Sequence, residues 1–534
     1  MSVAENGGGS GGDPNQRIVY MLQRAARQSP DAPAVTFEGR TQSFAGLQDR
    51  CARLGAALAG LGLGAGERVA VLAFNSDRYV ETFFGPAWIN AVFLPINYRL
   101  ALPEMVEIVD DATPRILLVD AAHVEQGRKL LDDCDSLEHL VYMDDGETPD
   151  GLLGYEELLA AATPGEPTAG SGDDLLVLFY TGGTTGHPKG VMLTHANLFI
   201  NSVGTLASYR CREHAVFLQC GPLFHLAAGS RVYTNVLTCS HTVMQRTFDC
   251  EAVFRDVEQH RVTVGLFVPT MINMMLHHGK FHEYDLSSLH QINYGAAPMP
   301  EALMRLALEM LPNVVFFQGY GMTEASPLVT SMPPEWHALD GPRTGKLSSI
   351  GRPVLHCDVR IVDEDDNDVP VGEVGEIIAR GPNIMKGYWN QPELTAQALR
   401  GGWYHTGDAG YFDEDGFIFL VDRVKDMIVT GGENVYSAEV ENALYRHPAV
   451  KECAVIGVPS EKWGEAVHAI VVLKDGASAS ETELIKFCRE RIAHFKCPRG
   501  IDFRDEPMPL SGVNKILKSE LRKPYWKGHK TGIV

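Results

Sequence analysis

The sequence predicts an α/β fold: a large N-terminal α/β region of layered sheets and helices, with a smaller α+β domain at the C-terminus. Three observations predict it. At 534 residues the chain is too long for one compact core. Apolar runs of strand length alternate with helical patterns through most of it, which implies layered, largely parallel sheets. The pattern then changes near Asp422-Arg423-Val424-Lys425-Asp426, and the residues beyond that point suffice for a small domain. The expected division is a disordered tail over 1–16, a main domain over 17–423 and a C-terminal domain over 424–534.

The elements come in order along the chain. Glu5 and the Gly/Ser stretch Gly7 to Gly12 lack the basic start and apolar core of a signal peptide. From Arg17 to Arg27, Ile18, Leu22, Ala25 and Ala26 fall on one helical face. Arg68 to Phe74 reads as a strand, and Arg78 to Asn90 as a helix that Gly85-Pro86 interrupts. Gly60 to Gly66 precedes a strand and lacks Gly-x-Gly-x-x-Gly spacing, so it is a turn and no dinucleotide site. Ala91 to Pro95 and Arg115 to Val119 read as further strands, and Glu166 to Asp174 as a surface loop. Beyond the change of pattern lie strands at Val450 to Val458 and Val467 to Leu473 and a helix over Glu481 to Ile492.

The apolar run Leu175 to Phe179 reads as a buried strand. It leads into Tyr180-Thr181-Gly182-Gly183-Thr184-Thr185-Gly186-His187-Pro188-Lys189-Gly190-Val191. Glycines let backbone N–H groups turn inward to an anion, and the threonine hydroxyls and one ammonium add donors. The loop is suited to phosphate, yet its lysine is not set in the Gly-Lys-Ser/Thr of the P-loop. It resembles instead the phosphate loop of the adenylate-forming superfamily, which holds acyl-CoA synthetases, luciferases and the adenylation domains of peptide synthetases. The resemblance runs from about Arg17 to Arg522, with several motifs in the family's order.

By that resemblance Thr181, Gly182, Gly183, Thr184, Thr185, Gly186 and Lys189 hold the phosphates of ATP, and Gly295-Ala296-Ala297 lies flat against the base. Gln318-Gly319-Tyr320-Gly321-Met322-Thr323-Glu324 matches the adenine and magnesium motif. It implies that Tyr320 stacks on adenine, Thr323 meets the α-phosphate, and Glu324, with Thr181, binds Mg²⁺. Mg²⁺ takes hard oxygen ligands, usually one or two carboxylates beside phosphate oxygens. Asp408, in Trp403-Tyr404-His405-Thr406-Gly407-Asp408, matches the family's ribose acceptor, and its two oxygens suit a vicinal diol. Arg423 matches the second ribose contact. Lys515, in Pro509-Leu510-Ser511-Gly512-Val513-Asn514-Lys515, takes the catalytic lysine position. A cation bridging carboxylate and α-phosphate stabilises the transition state, and loss of such a group costs about 10²–10³-fold in rate. Asn514 replaces the family's usual glycine, a departure that bears on loop geometry; Asn tolerates left-handed backbone better than most residues. Lys518 is a weaker candidate than Lys515 and reads also as part of a solvated face.

The family also implies a mobile C-terminal domain that rotates about a hinge, which Lys425 would occupy. Gly431, Gly432 and Glu433, in Thr430-Gly431-Gly432-Glu433-Asn434, match the loop lining a pantetheine tunnel and imply coenzyme A as co-substrate. Pro222-Leu223-Phe224-His225-Leu226-Ala227-Ala228-Gly229 matches the border of the acyl pocket. It lacks the Asp that pairs with an amino acid's ammonium, so an acid without an α-amino group is expected. His225 reads as a pocket gate, a carboxylate contact or a packed core histidine. The Met-rich Val268 to Leu276 suits an acyl tail, but its helical period favours ordinary core.

The net charge of −22 argues against nucleic acid, whose binding depends on neutralising phosphates. Ten cysteines stand singly with no Cys-x-x-Cys, consistent with a reducing compartment and a cytoplasmic protein. No run approaches a membrane span, peripheral association stays open, and so does the oligomeric state, a homodimer included. The expected enzyme is an AMP-forming acyl-CoA synthetase using ATP, Mg²⁺ and coenzyme A, with a medium- or long-chain fatty acid as first substrate. A non-CoA acceptor and an aryl acid are the alternatives.

Overall fold

The computed structural model describes residues 13–181, 188–297, 299–423, 428–430, 433–435, 437–460, 462–510 and 516–527. Three sheets are built from residues up to Arg423 and a fourth from residues after it. The first runs Gly387–Tyr388, Lys189–Thr194, Leu175–Thr181, Val92–Pro95, Arg68–Leu72, Ile116–Val119, His139–Tyr142, Leu153–Gly154. The second has nine strands, with Leu328–Met332, Val315–Gly321, Gln291–Gly295, Val264–Phe267 and Val216–Gln219 adjacent in that order. In both, the central pairings are parallel and antiparallel strands sit towards the edges. Leu175–Thr181 is buried through its middle because both of its faces are covered, as its unbroken apolar run requires.

The elements read from the sequence are present with shifted ends. The first long helix spans Val19–Gln28, and Gly85-Pro86 splits the expected helix into Asp77–Glu81 and Gly85–Trp88. Pro86 cannot supply the N–H that an unbroken helix needs. A turn of 3-10 helix over Pro14–Gln16 lies within the stretch expected to be tail. The third sheet, Asp358–Val362, Gly375–Arg380, Tyr404–Phe412, Ile418–Arg423, is wholly antiparallel and departs from the parallel layering expected of the main region.

In the fourth sheet Gly464–Leu473 pairs with Val450–Ser460, Ile428–Thr430 and Gly500–Phe503. Its core includes Val455, Val467, Val471, Leu444 and Leu484, apart from the clusters of the other sheets. All ten cysteines are free thiols, nine buried and Cys211 half-buried. Among the described residues, no helix is long and apolar enough to cross a membrane.

Candidate active site

The phosphate loop lies in sequence between two strands that pair antiparallel, Leu175–Thr181 and Lys189–Thr194. Tyr180 pairs with Gly190 and Thr181 with Lys189, so both ends of the glycine-rich stretch are fixed side by side. A Cβ on Gly190 would stand 2.9 Å from the Tyr180 ring, so only glycine fits there. The ring is held in turn by a 2.5 Å bond from the Tyr180 hydroxyl to Asp111 Oδ2. Gly182, Gly183, Thr184, Thr185 and Gly186 lie outside the described residues.

Lys189 leads to the acidic residue of the next motif. Its ammonium is 5.4 Å from the centre of the Tyr388 ring, and the Tyr388 hydroxyl donates to Glu324 Oε1 at 2.9 Å. Tyr388 stands on a two-residue strand paired with the outer strand of the phosphate hairpin, opposite Val191. Glu324 lies in a single 3-10 turn, Thr323–Ala325, fixed to the same segment by the bond from Met385 N–H to its carbonyl at 2.8 Å. Burial, then the Glu324 carboxylate, push the Tyr388 pKa far above the phenolic range, so it stays a donor. Tyr404, buried against the same carboxylate, is raised likewise. Tyr388 was not expected from the sequence; the glycine–aromatic run Gly387-Tyr388-Trp389 was its signal.

A second tyrosine–carboxylate contact joins two further motifs. The Tyr320 hydroxyl donates to Asp408 Oδ2 at 2.6 Å. Asp408 pairs across the antiparallel sheet with Arg423, so backbone register brings both expected ribose contacts to one point. The Arg423 side chain lies outside the described residues. Gly407 precedes Asp408 at φ +69°, and its N–H donates to Glu376 Oε1 at 2.9 Å. Thr406 Oγ1 accepts from the Asp408 N–H at 3.0 Å.

Gly295, which ends its strand, pairs with Gly319 within the neighbouring parallel strand, where a Cβ on Gly295 would fall 2.1 Å from the Gly319 carbonyl oxygen. Ala296 follows in left-handed backbone at φ 62°, and Ala297 completes the turn. Gln318, one residue before Gly319, is buried, with its Oε1 unpartnered. His225 caps the helix Leu226–Leu237, its ring 4.3 Å from Phe224.

Met271 and Met275 pack in ordinary core beside Phe254 and Tyr294, and Met274 is 55% exposed. Lys518 pairs with Glu441 at 2.9 Å and donates to Ser437, which ties it to the helix Ser437–Tyr445; the expected solvated alternative is replaced by a partly buried ion pair. Lys515, Lys425, Gly431 and Gly432 lie outside the described residues. Leu510 and Ile516, which flank Lys515, bridge to each other. Glu433 begins the strand Glu433–Val435, with its side chain outside the described residues.

Motifs distant in sequence thus converge beside the phosphate hairpin, joined by two tyrosine hydroxyls. Residues 22–389 match the model of the AMP-binding enzyme family, and 439–515 that of the AMP-binding enzyme C-terminal domain. The chain is 41% identical to a feruloyl-CoA synthase of Amycolatopsis sp, over 96% of this chain and 99% of that protein. It is 34% identical to the long-chain-fatty-acid–CoA ligase FadD13 of Mycobacterium tuberculosis, over 96% and 99%. Among solved structures it matches the o-succinylbenzoate CoA synthetase MenE of Bacillus subtilis in complex with its acyl-adenylate intermediate. That match has a TM-score of 0.83 and 30% identity over 96% of this chain and 99% of that one. The chain belongs to the AMP-binding enzyme family, as an AMP-forming acid–thiol ligase.

Proposed function

We propose that this chain joins an aryl-substituted carboxylic acid to the thiol of coenzyme A in two steps at one site. The observation that supports the reading is the pair of hydroxyl bonds, Tyr388 to Glu324 and Tyr320 to Asp408, which links the motifs expected to bind phosphate, base and ribose. The aryl preference rests on the 41% identity to a feruloyl-CoA synthase, against 34% to a long-chain fatty-acid ligase. It replaces the fatty acid expected first from the sequence with the aryl alternative.

In the first step a carboxylate oxygen of the acid bonds to the α-phosphorus of ATP and the bond to pyrophosphate breaks. Lys515 bridges the two anions as they close, and Thr323 donates to an α-phosphate oxygen. Asp408 and Arg423 orient the ribose, Tyr320, Gly295, Ala296, Ala297, Gln318 and Gly319 the base. The hairpin from Thr181 to Lys189 holds the β- and γ-phosphates. Glu324 suits Mg²⁺, being a hard oxygen donor held beside that hairpin by Tyr388; Thr181 is the second residue proposed to hold the ion. Bound there, the ion would offset phosphate charge. In the second step the thiol of coenzyme A attacks the acyl carbonyl of the adenylate and AMP leaves. Lys425 is the pivot for the exchange of faces, Gly431, Gly432 and Glu433 flank the thiol's path, and His225 contacts the acid's carboxylate.

Incubation with Mg²⁺, ATP, coenzyme A and an equimolar mixture of ferulate, cinnamate and decanoate, followed by mass spectrometry, tests this. Aryl thioesters with matching AMP are expected. Acyl-AMP without any thioester would refute the thiol step, and a thioester of decanoate alone would refute the aryl preference.

A further inference from the structure

Asn75 is 2% exposed and stands between the strand Arg68–Leu72 of the first sheet and Ser76, whose side chain caps the helix Asp77–Glu81. Its amide reaches into the second sheet. Nδ2 donates to the Gly221 carbonyl at 2.9 Å and to the Gln245 carbonyl at 3.1 Å, and Oδ1 accepts from the Leu223 N–H at 2.9 Å. Gly221 and Gln245 follow the neighbouring parallel strands Val216–Gln219 and His241–Met244. One side chain of the first sheet thus fastens the carboxyl ends of two strands of the second, the edge at which such sheets bind ligands.

The bond to Leu223 bears most directly on the site. Pro222 to His225 is a turn, closed by the His225 N–H on the Pro222 carbonyl at 3.1 Å. Such a turn supplies no acceptor for the N–H groups of its two inner residues. Leu223 is fully buried, so its N–H must find an acceptor elsewhere or carry the cost of having none. Asn75 Oδ1 is that acceptor. His225, two residues further on, leaves the turn as the cap of the helix Leu226–Leu237. A second connection runs beside the first. The Phe74 N–H donates to Asp120 Oδ2 at 2.7 Å, the Phe74 ring lies 4.7 Å from that of Tyr98, and the Tyr98 ring 4.8 Å from that of Phe224. Residues 74 and 75 therefore hold 221–225 both by hydrogen bonds and by ring packing.

We propose that Asn75 is a positioning residue for the acid: it sets the turn that carries His225 and so fixes where His225 meets the carboxylate. The inference rests on the proposed function, in which His225 makes that contact. Two donors facing two carbonyls and one acceptor facing one N–H match the neutral amide of asparagine; a carboxylate would face both carbonyls with no proton to offer. Asn75 touches no reacting atom, and its effect passes through the turn.

Pyrophosphate release in the adenylation step, with ferulate varied at saturating ATP and ATP varied at saturating ferulate, tests it without the thiol. Asn75→Ala should lower kcat/KM for ferulate about tenfold or more, as small misplacements near a reacting group do, and leave the KM for ATP nearly unchanged. His225→Ala should lower kcat/KM for ferulate as well, and in that background Asn75→Ala should add little, because both changes act through one ring. A fall that is undiminished in the His225→Ala background, or an equal loss for ATP, would overturn the proposal, since packing alone acts there too. If His225→Ala leaves ferulate unaffected, the His225 contact and this proposal fail together. Should Asn75→Ala not fold, Asn75→Ser enters the same cycle with the same outcomes. Failure of the aryl preference would show in the acid mixture and not here, because decanoate serves the cycle equally.

Discussion

The acidic cluster around Glu81 and the acidic residues of the site are built from the same parts and differ in burial. Glu81 is fully buried, and accepts from Arg50 at 2.6 Å, Tyr155 at 2.6 Å and Gln42 at 2.9 Å. Arg50 and Arg78 continue the network to Glu156, and Arg40 and Arg78 to Asp145. Glu324 and Asp408 are only partly buried, each held by a tyrosine hydroxyl at the edge of a site suited to phosphate and ribose. The contrast teaches that a carboxylate closed off in the interior serves the fold, whereas one left partly open and oriented by a hydroxyl is placed for work. Changes in the first region should lower stability and spare turnover, and changes in the second the reverse.

The largest effect is expected from Arg50→Ala, which leaves Glu81 buried without its cation. A loss of about 3 kcal/mol should appear as a lower denaturant midpoint at unchanged slope, with normal activity per folded molecule. A matching fall in activity at full folding would erase the distinction between the regions. On the other side, Lys515→Ala should slow acyl-adenylate formation about 10²–10³-fold in a single-turnover assay while the melting temperature stays put.

The third prediction concerns pH. His195 is fully buried beside Arg17, and burial first, then that positive charge, lower its pKa from 6.5 to about 3. The unfolded chain therefore binds the proton first as pH falls, and the stability held by neutral His195 is fully present above pH 6.5 and lost between there and about 3. At pH 5 the loss amounts to about 2 kcal/mol relative to neutral pH. Chemical denaturation at both pH values should show it, and His195→Asn should flatten the difference. Smallest is Tyr388→Phe, which removes one hydrogen bond to Glu324. It should cost about 1 kcal/mol, seen as a several-fold rise in the KM for ATP, with little change in stability.

Much of the fold was legible because its signals are local. The buried strand before the phosphate loop, the break at Gly85-Pro86 and the small C-terminal domain's strands all arise from short runs of residues. The antiparallel third sheet was not legible. Its strands are separated by stretches such as 381–403, which holds the strand Gly387–Tyr388 of another sheet and the helix Pro392–Ala398, and neither length nor pattern says which neighbour each one pairs with. In the site, the motif residues could be read singly, but their joints could not. Tyr388 and Glu324 are 64 residues apart, and Tyr320 and Asp408 are 88 apart, so only folding reveals that they touch.

The ten free thiols have a bearing on what such an enzyme must survive. An acyl-adenylate is an acylating agent, and a protein's own thiolates are the nucleophiles it would meet first. Burial pushes Cys51 and Cys453 far up, and Cys220 and Cys357 to about 12. Cys211, whose charge balance Arg231 touches, is raised as well, by burial that outweighs the nearby cation. Nine of the ten sulfurs are buried, so an enzyme that makes a reactive anhydride offers it little thiol of its own, and the acyl group is kept for the thiol that diffuses in.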